Sequence, residues 1–148
     1  MRVRAALALS AVVAISCSSE DTGTTPVLRQ STPQFRKDII PILDKFCATS
    51  ECHATEEKNL GITLKIAEPA AIYAELKKDS PTAKGTPFVT PGDPKKSFLQ
   101  AKIDGTQAEF ETSCLLVGCG ETMPPGSKLT TSQRDAFRAW ITAGAKDD

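Results

Sequence analysis

Residues 47–53 read CATSECH, two cysteines with four residues between them and the only histidine of the chain, His53, directly after the second. One chemistry suits these residue types in particular. Two thiols can add across the two vinyl groups of a haem, and a histidine beside the second thiol can bring its imidazole to the iron. Cys47 and Cys52 are then the thioether positions and His53 the proximal ligand. Further along, Met123 stands in TMPPG and is the only methionine besides the initiator. A thioether is a soft ligand suited to haem iron, and adjacent prolines hold an exposed loop with little conformational entropy left to lose.

Helices must place these groups, and the sequence signals four. Thr32 and Pro33 read as a cap and first-turn pair, followed by Phe35, Ile39, Ile42, Leu43 and Phe46 at helical intervals, with Pro41 bending the helix. A second helix starts at Pro69, with Ile72, Tyr73 and Leu76 on one face and lysines at its end. A third, shorter one covers residues 95–103. The last has Thr130 and Gln133 as a capping box, Phe137, Trp140 and Ile141 as its buried stripe, and Gly144 as its stop. Strand-like alternation is lacking, and Gly/Pro-rich stretches such as TPFVTPGDP and residues 105–128 read as loops. The expected fold is mostly α, a small helical domain with long Gly/Pro-rich loops.

The N-terminus carries an export signal: Arg2 and Arg4 as the basic region, residues 5–15 as an apolar core too short to anchor in a bilayer, then Ala14-Ile15-Ser16-Cys17. That ending resembles the lipobox of bacterial lipoproteins. The resemblance implies a signal peptide over residues 1–16 and a membrane tether through lipidated Cys17. Residues 17–32 are polar and read as a flexible linker, and residues 33–148 as one folded domain. The chain is 40% hydrophobic and 24% charged, with 18 basic and 18 acidic residues. Cleavage removes Arg2 and Arg4 and leaves 16 basic against 18 acidic, so nucleic acid is not an expected partner.

Beyond the lipidated one, four cysteines remain, and three readings of them are open. Cys47 and Cys52 could carry haem, could pair as a disulfide in an oxidising compartment, or could join His53 and a later cysteine around zinc. Cys114 and Cys119, five positions apart in CLLVGCGETM with Gly118 and Gly120 to turn the chain, are expected to bond to each other. That bridge would shape the loop presenting Met123.

The likeness extends past the motif. FRKDIIPILDKFC before the site, VTPGDPKKSFLQAKI midway, MPPG, and LTTSQRDAFRAWITAGA at the end are similar to the cytochrome-c-like domains of secreted bacterial proteins, over roughly residues 35–145. The usual spacing in that family is C-x-x-C-H; expanded C-x4-C-H sites also occur in it. The resemblance implies one covalent haem c, with Met123 as the sixth iron ligand opposite His53. Both axial positions are then filled, which points to electron transfer with a redox partner protein and not to an enzyme. The competing expectation is a haem-free, disulfide-stapled lipoprotein acting as a binding or structural module. Either protein faces the periplasm, and Ser18, unlike an aspartate, gives no inner-membrane retention signal, which favours the outer membrane.

Overall fold

A computed structural model describes residues 31–55, 62–115 and 118–148. Cys17, the expected signal peptide and most of the expected linker lie outside the described residues. The rest is mostly helical, as the spacing predicts. Among the described residues the only β pairing is two isolated bridges, Asp79 with Pro87 and Ala83 with Cys114.

The first helix begins as a π-helical turn, Phe35–Ile39, and continues as α1, Ile40–Phe46. Pro41 has no N–H to give, so the ordinary i→i−4 ladder fails there; just before it, Ile40 N–H reaches back five residues to the Phe35 carbonyl. The expected cap, Thr32 with Pro33, is not used. The helix opens at Gln34, whose N–H is accepted by the Asp38 carboxylate at 2.8 Å, while Phe35 N–H is accepted by Asp148 Oδ1 at 2.9 Å. A residue at the far end of the chain has taken over the cap.

Helix α2 spans Pro69–Leu76, with Ile72 and Leu76 buried, as expected. The predicted helix over 95–103 is two pieces: a 3-10 turn, Pro94–Lys96, capped by the Asp93 carboxylate, then α3, Phe98–Asp104. Ser97 breaks it. Its fully buried hydroxyl donates to the Asp93 carbonyl at 2.9 Å and accepts the Thr90 N–H at 2.9 Å, a local alternative that holds the backbone extended. The stretch read as loop over 105–128 contains a further 3-10 helix, Gln107–Ser113.

Helix α4, Thr131–Thr142, has the predicted capping box in both directions between Thr130 and Gln133. It ends in a Schellman turn: Gly144, at φ +100°, donates to Ile141, and Ala145 donates to Trp140, each at 2.9 Å. The stripe of Phe137, Trp140 and Ile141 is buried. Phe35 stacks on Trp140 with ring centroids 5.2 Å apart and meets Tyr73 edge-on at 5.5 Å, while the Tyr73 hydroxyl donates to the Ala145 carbonyl. This aromatic cluster joins the first helix, α2 and the end of α4. Asp104, at the end of α3, pairs with Arg134 at 3.5 Å and Arg138 at 2.7 Å on α4.

Candidate functional site

Cys47 sits at the C-cap of α1, its N–H still bonded to the Leu43 carbonyl. The chain then closes on itself. Cys52 and Ala54 donate to the Thr49 carbonyl at 2.9 and 3.2 Å, and His53 N–H returns to the Cys47 carbonyl at 3.0 Å. The four residues between the cysteines are thus wound into a turn whose backbone bonds are satisfied locally. Cys47 and Cys52 are half-buried and unbridged.

The imidazole is held from behind. His53 Nδ1 lies 3.2 Å from the Ile62 carbonyl, and because a carbonyl only accepts, Nδ1 carries the proton and Nε2 keeps its lone pair. The same carbonyl-bearing segment pairs again through Leu64 N–H to the His53 carbonyl at 2.7 Å. Burial is the main influence lowering the His53 pKa; the Ile62 bond opposes it, and the Lys102 charge adds to it. The ring is therefore favoured in its neutral, ligand-competent form. Burial, with the neighbouring Cys52, pushes the Cys47 thiol up to about 11, which keeps it protonated at neutral pH.

Met123 is delivered from the other half of the chain. The Cys114–Cys119 disulfide expected from their spacing is present, with Cα atoms 5.2 Å apart. Downstream of it, Met123 N–H donates to the Lys102 carbonyl at 2.9 Å, and Thr122 packs against Gly105. Gly105, at φ +80°, ends α3, and a Cβ there would come 3.1 Å from the Thr122 hydroxyl. Glycine serves both the left-handed cap and the close approach.

Cys47, Cys52, His53 and Met123 all line one cavity of about 260 Å3, near the lower end of small-molecule sites, about 300–1,000 Å3. Leu43, Phe46, Leu64, Leu76, Phe88 and Ile103 give it apolar walls, and Pro124 and Pro125 lie at its margin. Two free thiols, an imidazole with a free Nε2 and a thioether around an apolar space could hold a flat, hydrophobic iron macrocycle. The donor set fits haem c. A zinc set fits less well, since Cys114 and Cys119 are bonded to each other and cannot supply a fourth thiolate. Among the described residues no three His, Cys, Asp or Glu side chains gather as a metal-binding group.

Lys102 is a charged lining residue that sequence reasoning missed. Its ammonium donates to the Cys119 carbonyl at 2.8 Å, and burial is the main influence lowering its pKa. A lysine within a short helix reads as solvated, and only the fold brings the 119–123 loop against it. Comparison with protein-family models, curated proteins and solved structures found no match for this chain.

Proposed function

We propose that the chain is an exported, lipid-anchored electron-transfer protein: a small cytochrome-c-like domain with one covalent haem c, tethered through Cys17 and facing the periplasm. The observation that carries the reading is the meeting of Cys47, Cys52, His53 and Met123 in a single apolar-walled cavity. When bound, the haem supplies a one-electron couple that the polypeptide lacks. Cys47 and Cys52 would hold the group covalently, each thiol adding across one vinyl group with no oxidant consumed.

The residues divide the work. Cys47 and Cys52 would fix the cofactor just past the end of α1, where both line the cavity. His53 offers Nε2 while Nδ1–H is committed to Ile62, which sets the tautomer and the ring orientation. Met123 offers a thioether which, as a ligand to the iron, would favour one-electron transfer over oxygen or peroxide chemistry and a higher potential than a second nitrogen ligand. The apolar walls lower the local dielectric, a lever on the potential of a bound redox group. The partner is a second redox protein.

Protein matured with the cytochrome c assembly system should carry one covalent haem, read by a pyridine haemochrome assay after denaturation. The Cys47→Ser, Cys52→Ser double variant should carry none. Wild-type protein without haem, or with haem that extracts into acid acetone, would sink the electron-transfer reading and leave the disulfide-stapled binding module.

A further inference from the structure

Lys102 holds the loop that bears Met123 by both ends of the residue. Its main-chain carbonyl accepts the Met123 N–H at 2.9 Å, and its ammonium accepts nothing but donates to the Cys119 carbonyl at 2.8 Å. The two bonds straddle the segment 119–123. Their anchor lies in α3, where the neighbours Ala101 and Ile103 are buried in the core. Gly120 makes room for the ammonium: a Cβ at that position would stand 3.2 Å from Nζ. A third bond, from Gln107 Nε2 to the Gly120 carbonyl at 3.1 Å, steadies the same loop from the 3-10 helix.

We infer that Lys102 is a positioning residue for the Met123 thioether, fastening the loop between Cys119 and Met123 to α3 so that Met123 is held at the cavity. The inference rests on the haem reading and deepens it. The main-chain bond survives any substitution at 102, so the side-chain bond to Cys119 is what a variant removes. A charge-assisted bond to a carbonyl is stronger than a neutral one, and its loss releases the loop upstream of Met123. The disulfide alone cannot replace it, since the bridge ties Cys119 to Cys114 and not to α3.

The test uses mature holoprotein with a full complement of covalent haem, established first by the haemochrome assay; wild-type protein without haem fails the functional reading and this inference with it. Lys102→Met keeps most of the side chain's volume and removes the donor. Haem content should match wild type, the far-red thioether-to-iron band should weaken, and imidazole, which competes with Met123 for the iron, should bind about tenfold tighter, or about 1.4 kcal/mol. Lys102→Gln lacks the reach to Cys119 and should shift imidazole affinity in the same direction. Lys102→Arg, which can still donate to the Cys119 carbonyl, should restore the band. Full haem content with wild-type band intensity and imidazole affinity in either the Met or the Gln variant would show that Met123 is held without Lys102.

Discussion

The two halves of the cavity are built in opposite ways. The half with Cys47, Cys52 and His53 is a turn of seven residues closed by its own backbone, with Cys47, Thr49, Cys52 and His53 bonded among themselves. The half with Met123 has no such closure. It depends on Lys102 seventeen residues before Cys119, on Gln107, and on a disulfide. The turn rests on the end of α1 and on the segment from Ile62 to Leu64 that follows it, whereas the methionine loop depends on α3 and the 3-10 helix being in place. The first half should therefore resist perturbation and the second should loosen readily.

Met123→Leu strikes the weaker half at the atom proposed to bind the iron. The swap is nearly isosteric and should change stability by less than about 1.5 kcal/mol. The reduction potential should nevertheless fall, and the variant should bind carbon monoxide, because a coordination position opens. Redox titration and ligand-binding spectra check this. An unchanged far-red band would mean that some other residue is the sixth ligand and that the comparison between the halves has been drawn around the wrong loop.

Replacing Cys114 and Cys119 together by Ser acts on the same half from further away. Chain-entropy reasoning assigns so short a bridge about 2 kcal/mol, measurable by denaturant titration. Covalent haem and helix content should be retained, with only the Met123 bond weakened. Loss of haem attachment on removing this bridge would mean that the two halves are not independent.

The smallest effect sharpens the account of the stronger half. In the haem-free Cys47→Ser, Cys52→Ser variant, the neutral His53 ring contributes stability through its burial. Its pKa in the folded protein lies below the ordinary value, which the unfolded chain keeps, 6.5. The contribution is thus fully present above 6.5 and is lost as the pH falls from there through the folded-state value, where the unfolded chain binds a proton that the folded one resists. Denaturation midpoints measured downward from pH 7.5 should show this decline, and adding His53→Gln should flatten it. A decline just as steep without His53 would assign the pH dependence elsewhere.

Much of the fold is legible in local pattern. The capping box of α4, its stripe of Phe137, Trp140 and Ile141 and the stop at Gly144 follow from spacing because each is made within a few residues. Helix α2 is legible for the same reason. The errors occur where a distant or tertiary partner wins. Asp148 takes the cap at Phe35 that Thr32 and Pro33 were expected to provide, and buried Ser97 splits a helix that propensity alone would continue.

The sequence by itself supplied the donors of the proposed site, two thiols, one imidazole and one thioether, and the spacing of Cys114 and Cys119 pointed to their pairing. It also determined the short-range turn that sets His53 beside Cys52. Tertiary structure alone decided that Met123 comes to the same cavity, that Ile62 orients the imidazole, and that Lys102 clasps the loop. The reason is reach. Backbone bonds within a turn are specified by neighbouring residues, whereas a lysine in α3 and a carbonyl at Cys119 meet only after burial of the helices' apolar faces has set the distance between them.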